Sequence, residues 1–278
     1  MKDVYDIFSP SGPALPLIFD SPHSGRVYPV DFKHACPRAL LERAEDNYVD
    51  ELFTAAPAYG ASLLRAQFPR TYIDVNRAVS DVDTTLIRGQ WAGLMKPTSR
   101  SHAGIGLVWR LVKPGIPIYA NQLTVPEVQK RIQDYYHPYH NALETLIDTA
   151  HYDFGQVWHM NCHSMPGTAT KADFVLGDRD GTSCGTEFLH MVRDGLQGLG
   201  YQVAINQPYK GVEILRRYGR PTQRRHSIQL EINKALYWNE QDSTKTINFN
   251  KLRDNIEKFV RHCTGYISTQ ISRPMAAD

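Results

Sequence analysis

Apolar residues in this chain fall into short hydrophobic runs separated by longer segments of helical periodicity, the alternation expected of an α/β fold. Leu15–Phe19 is a compact apolar run closed by Asp20 and bounded by Pro13 and Pro22, which predicts a buried strand with His23 opening the loop beyond it. From about Arg38 to Ala58, Leu41, Tyr48, Val49, Leu52, Phe53 and Ala56 recur at helical spacing and predict one amphipathic helix stopped by Gly60. Strands are expected next over Ala61–Gln67 and Thr71–Val75. Residues from about Arg77 to Pro126 are irregular and rich in glycine and proline, as functional loops and lids are. The positions Val128, Ile132, Tyr135, Tyr136, Tyr139, Leu143, Leu146 and Ile147 predict a long helix over Pro126–Ala150, kinked at Pro138. Further strands are expected near Val157–Cys162, Asp173–Leu176, Tyr201–Ile205 and Ser227–Ile232, with helices near Glu187–Leu199 and Asn248–Ile271. The pattern predicts a mixed or parallel sheet with helices on both faces.

Composition narrows the picture. A chain of 278 residues that is 42% hydrophobic can bury a substantial core, and a single domain over residues 1–278 is expected. The net charge of +2, from 31 basic and 29 acidic residues, gives no bulk electrostatic reason to expect a nucleic-acid or membrane-surface partner. Cys36, Cys162, Cys184 and Cys263 form no CxxC pair and fit reduced thiols of a cytosolic protein. No apolar stretch approaches the roughly 18 residues of a membrane span, so a soluble, cytoplasmic protein is expected.

Three strand ends carry the candidate chemistry. LPLIFD leads into Pro22–His23–Ser24–Gly25, VWHMNC into His163–Ser164–Met165–Pro166–Gly167, and Glu231 lies in the run SIQLEI. In open α/β sheets ligands gather at the carboxyl ends of strands, where histidines and a carboxylate from distant segments can converge on one metal ion with a position left for water. His23 and His163 are the leading ligands. The third is open between Glu45 and Asp46, because the third position after His23 holds Arg26 rather than an acid; either could equally be a helix-capping acid. In Asp74–Val75–Asn76–Arg77, after Arg70, an amide and two guanidinium groups flank an apolar run and suit carboxylate recognition. Ile228, Leu230 and Ile232 alternate with Gln229, Glu231 and Asn233, which puts Glu231 on the opposite face as a desolvated carboxylate suited to general-base work.

Other constellations are weaker. His137, His140 and Glu144 share a helix face, but histidines so spaced on a Tyr-rich helix more often pack or support a neighbour, and Pro138 disturbs their geometry. No G-x-S-x-G elbow, dinucleotide fingerprint or P-loop is present. Cys162 and His163 are adjacent on a predicted strand and would point apart.

Taken together, SPHSGRVYP, EDNYVDELF, PRTYIDVNRA, YYHPYHNAL, NCHSMPG, YKGVEILRRYGRP and QLEINKALY resemble the N-formylglutamate amidohydrolase family and span most of the chain. The resemblance implies a three-layer α/β/α sandwich with a mixed central sheet, similar to zinc carboxypeptidases and aspartoacylases. It implies one divalent metal ion, zinc, held by His23, Asp46 and His163, and so favours Asp46 over Glu45. It implies Glu231 as general base, Arg70 as the group that polarises the scissile carbonyl, and Asn76 and Arg77 as binders of a substrate carboxylate. Arg216 and Arg220 are candidates for a second carboxylate. The expected reaction is hydrolysis of N-formyl-L-glutamate to formate and glutamate in histidine degradation, by a monomer or small homo-oligomer. A related N-acyl-amino-acid or small-peptide amidohydrolase, and a non-catalytic dicarboxylate sensor, are the alternatives.

Overall fold

The computed structural model describes residues 4–272. Seven strands, β1 (Tyr5–Phe8), β2 (Leu17–Ser21), β3 (Ser62–Ala66), β4 (Val157–Met165), β5 (Phe174–Gly177), β6 (Val203–Ile205) and β7 (Arg225–Asn233), form a sheet in the order β1-β3-β2-β4-β7-β5-β6. β2, β4 and β7 run parallel, β5 is antiparallel to β7, and β6 is parallel to β5. The main helices are α1 (Arg38–Ala44), α2 (Val49–Leu52), α3 (Val125–Arg131), α4 (His137–Phe154), α5 (Thr186–Gln197), α6 (Glu213–Tyr218) and α7 (Phe249–Ile271). The expected α/β class with a mixed central sheet is what forms.

The chain divides into two compact units built from interleaved segments. One comprises, among the described residues, 7–21, 48–64 and 143–272. Its core follows from the period of two in its strands: Met160 pairs with Ile228 and Cys162 with Leu230, so one sheet face is apolar. That face, with Leu17, Phe19, Phe174 and Leu176, packs into a single cluster with Leu52 and Phe53, Phe188 and Val192 of α5, and Ile256, Phe259 and Val260 of α7. The opposite face is polar, pairing His159 with Ser227, Asn161 with Gln229 and His163 with Glu231.

The other unit comprises, among the described residues, 4–6, 22–47 and 65–142. Its interior is aromatic. Phe32 stands edge-on to Tyr72 at 5.2 Å between ring centroids, and Tyr72 and Phe68 both meet Tyr135. Arg131 is buried among them, its guanidinium 4.1 Å from the centre of the Tyr72 ring and Nη1 donating to the Tyr119 hydroxyl at 2.6 Å. Most of residues 77–124 is irregular, as its glycine and proline content leads one to expect.

Three expectations need correction. The single helix over Arg38–Ala58 is broken: α1 stops at Ala44, Glu45 is extended, Tyr48 is left-handed at φ 60°, and α2 restarts at Val49. Tertiary hydrogen bonds outweigh helix propensity there, because the Asp46 N–H donates to the His23 carbonyl at 3.0 Å and Ser24 Oγ to the Asp46 carbonyl at 2.9 Å. Thr71–Val75 is a chain of turns rather than a strand. The long helix is interrupted by a π-turn over Ile132–Tyr136, immediately before Pro138, in which the His137 N–H reaches back to the Ile132 carbonyl. Pro138 has no N–H to continue the α-helical ladder, and the wider turn accommodates that loss.

Candidate active site

β2 leads into Pro22–His23–Ser24–Gly25, a loop fixed by close backbone contact. A Cβ on Gly25 would lie 2.2 Å from the Phe68 carbonyl oxygen, so only glycine fits. The Val27 N–H donates to the Gln67 carbonyl at 2.8 Å, tying down the far side of the turn. His23 is buried; its Nε2 meets Asp74 Oδ1 at 2.7 Å and its Nδ1 lies 3.4 Å from Asp46 Oδ2. An imidazole held at Nε2 by a carboxylate offers Nδ1 as donor, the arrangement by which outer carboxylates orient metal-binding histidines.

Asp74 organises this part of the site. It accepts from the Asn76 N–H at 2.9 Å, from Arg70 Nη2 at 3.0 Å and from Trp109 Nε1 at 3.4 Å. Burial opposes its ionisation, but His23, Arg77 and Arg70 outweigh that and hold its carboxyl well below the usual range. Arg70 also reaches Asp46 Oδ1 at 3.5 Å and stacks over Trp109. Glu45 faces elsewhere, towards the Tyr28 hydroxyl, the Arg70 N–H and the Thr71 hydroxyl. Burial pushes Glu45 up to about 8, with Arg70 pulling against it. Asp46, and not Glu45, therefore stands against His23.

Side chains from α3 and α4, with the turn between them, hold the segment that carries Asp74, Asn76 and Arg77. Arg131 Nη1 donates to the Tyr72 carbonyl at 3.0 Å, Tyr136 to the Arg77 carbonyl at 3.0 Å and His140 Nε2 to the Val75 carbonyl at 2.8 Å. The candidate helix metal site is thereby dissolved, since His140 is a backbone clamp and Glu144 pairs with Arg217 at 3.5 Å. Arg77 donates from Nη1 to the Asn76 carbonyl at 3.0 Å and from Nε to the Ile105 carbonyl at 3.3 Å, which sets the guanidinium plane. The sequence assigns no role to Asp74, Trp109, Arg131 or Tyr136, and His140 enters it only as a weaker metal candidate. For Tyr136 and His140 the sequence signal is a tyrosine and a histidine four apart on one face of YYHPYH.

On β4, His163 Nε2 lies 2.6 Å from Asn161 Oδ1. Glu231 is its direct partner on β7, buried on the same sheet face and accepting from Gln229 Nε2 at 2.7 Å. Among the described residues, His23, Asp46 and His163 form a group whose ligand atoms all lie within 4.8 Å of one another, and all three are buried. Two imidazoles and a carboxylate match the donor set of hydrolytic zinc sites. Arg216 forms a two-pronged pair with Glu213 at 2.6 and 2.7 Å, and Arg220 Nη1 donates to the carbonyls of Arg216 and Gly219.

The sequence model of N-formylglutamate amidohydrolase matches residues 15–238. The chain belongs to this family. The matched span contains every expected site residue from His23 to Glu231. Two N-formylglutamate deformylases, from Pseudomonas putida and Pseudomonas aeruginosa, are each 28% identical over 82% of this chain and 84% of their own length. The crystal structure of an N-formylglutamate amidohydrolase from Ralstonia eutropha JMP134 superposes with a TM-score of 0.93 at 42% identity, covering 96% of this chain and 99% of that one. A gene product of Agrobacterium tumefaciens shares the fold at a TM-score of 0.70 and 16% identity, covering 98% of this chain and 96% of that one. The family membership makes the chain an amidohydrolase, an enzyme acting on an amide bond. No helix among the described residues is long and apolar enough to cross a membrane.

Proposed function

We propose that this protein is a metal-dependent deformylase that hydrolyses N-formyl-L-glutamate to formate and L-glutamate. The observation that carries the metal dependence is the buried grouping of His23, Asp46 and His163; the substrate follows from the relatives, which are N-formylglutamate deformylases. A divalent ion such as zinc, held by those three residues, would supply Lewis acidity for water activation and carbonyl polarisation.

The remaining chemistry falls to the chain's own side chains. Glu231 takes a proton from the attacking water, whose oxygen bonds to the formyl carbon, and passes a proton to the nitrogen as the C–N bond breaks. Arg70 polarises the formyl oxygen; its guanidinium is oriented by Asp74, Asp46 and the Trp109 ring. Asn76 and Arg77 bind the α-carboxylate, on a backbone held by Tyr136 and His140. Arg220 and Arg216 are assigned to the side-chain carboxylate, although Arg216 is engaged by Glu213 in this structure. We place the protein in the cytoplasm, as a single catalytic domain acting in histidine degradation; its four cysteines are buried thiols, which suits a reducing compartment.

Release of formate or other acyl products from a panel of N-acyl amino acids tests the substrate. N-formyl-L-glutamate should give the highest kcat/KM, with N-formyl amino acids lacking a second carboxylate well below it. Faster cleavage of N-acetyl substrates or small peptides would replace this substrate assignment. Tight binding of N-formylglutamate without turnover would indicate a sensor.

A further inference from the structure

The polar face of the central strands carries a chain of hydrogen bonds that ends at His163. Asn161 Oδ1 lies 2.6 Å from His163 Nε2, and Asn161 Nδ2 donates to Asp20 Oδ1 at 2.8 Å. The same Asp20 oxygen lies 2.8 Å from His159 Nε2, and His159 Nδ1 lies 2.7 Å from Ser227 Oγ. All five residues are buried, and strand register holds the chain together: Asp20 is the partner of Asn161, and His159 the partner of Ser227.

The Asp20 carboxylate fixes the direction of these bonds. It can only accept, so the Asn161 amide must turn its N–H₂ to Asp20 and its carbonyl oxygen to His163. Reversing the amide would set two oxygens against each other. His163 must then donate from Nε2, which leaves the lone pair on Nδ1. By the same logic His159 donates from Nε2 to Asp20 and accepts at Nδ1 from the Ser227 hydroxyl. A buried polar chain of this kind adds little net stability over apolar side chains of equal volume, so its gain lies in orientation.

We propose that Asp20 and His159 are positioning residues acting through Asn161, which fix His163 in the Nε2-protonated tautomer and hold its Nδ1 ready to bind the metal. The proposal rests on the reading of His163 as a metal ligand.

The test measures the dissociation constant for Zn²⁺, by competition with a chromophoric chelator, and the imidazole ¹⁵N resonances of the metal-free full chain. Wild type should show His163 as the Nε2-protonated tautomer. Asn161→Ala should mix the tautomers and weaken Zn²⁺ binding about 10–100-fold, the usual loss on removing an outer partner of a metal ligand. Asp20→Ala should weaken it comparably, the double variant no further than Asn161→Ala alone, and Asp20→Asn less, because its amide oxygen still accepts. If His163→Ala abolishes Zn²⁺ binding while Asn161→Ala and Asp20→Ala bind like wild type, the positioning role is wrong and the metal site stands. If His163→Ala leaves Zn²⁺ affinity unchanged, the metal site fails and this proposal with it. An Nδ1-protonated His163 in the metal-free wild type overturns the proposal without recourse to any variant.

Discussion

At the scale of single residues, the candidate site rests on carboxylates that orient other groups as much as on those assigned to the chemistry. Asp74 touches His23, Arg70, Trp109 and the Asn76 N–H at once, so a proposed ligand and a proposed electrophile share one anchor. Glu231 is assigned a different task, proton transfer, which separates it experimentally from the proposed ligands. Glu231→Gln keeps the volume and the partnership with Gln229 but cannot accept a proton. Its kcat should fall about 10²–10⁴-fold with little change in KM and full retention of metal. Loss of metal in this variant, measured by elemental analysis, would make Glu231 a ligand instead. His23, His163 and Glu231 are legible in the sequence as candidates because each sits in or just after an apolar run, where a polar residue needs a reason. Asp74 was not legible as an anchor, since its partners come from positions 23, 70 and 109, and no local pattern records that convergence.

Elements are legible in the sequence where apolar periodicity is regular, and not where tertiary hydrogen bonds take over. β2, β4, β7, α5 and α7 lie within a few residues of their expected positions, because burial of an apolar face set them. Residues 45–48 satisfy a helical pattern yet leave the helix, and 71–75 satisfy a strand pattern yet form turns, because their backbone groups bond to His23 and to the side chains of Arg131 and His140. The His23 loop depends on its glycine in the same non-local way. Gly25→Ala would drive a Cβ into the Phe68 carbonyl, backbone that cannot swing aside. It should destabilise the protein by about 1–3 kcal/mol, the usual range for overpacking, and lower metal affinity by displacing His23. A thermal midpoint unchanged from wild type would show that the loop has more room than this geometry gives it.

Across the molecule, a length of 278 residues and a hydrophobic content of 42% lead one to expect a single domain. The two units exchange chain at residues 6/7, 21/22, 47/48, 64/65 and 142/143, so neither is a contiguous stretch that a composition shift could reveal. The buried cysteines report on the integrity of the core around each of them. Burial raises the thiols of Cys162 and Cys263 well above their ordinary value and pushes Cys184 up to about 12, so almost no thiolate is present at neutral pH. A disulfide reagent should leave all four buried thiols unmodified in the native protein and titrate all four after denaturation. Fast reaction of any one in the native state would mean that its part of the core opens. Metal-dependent amide hydrolysis through His23, Asp46 and His163 is decided by metal content measured together with formate release. Purified protein should contain about one equivalent of divalent metal and lose both metal and activity on chelation and in His163→Ala, whereas His137→Ala keeps its metal. Full formate release by metal-free protein, or metal lost from His137→Ala and kept by His163→Ala, would contradict it.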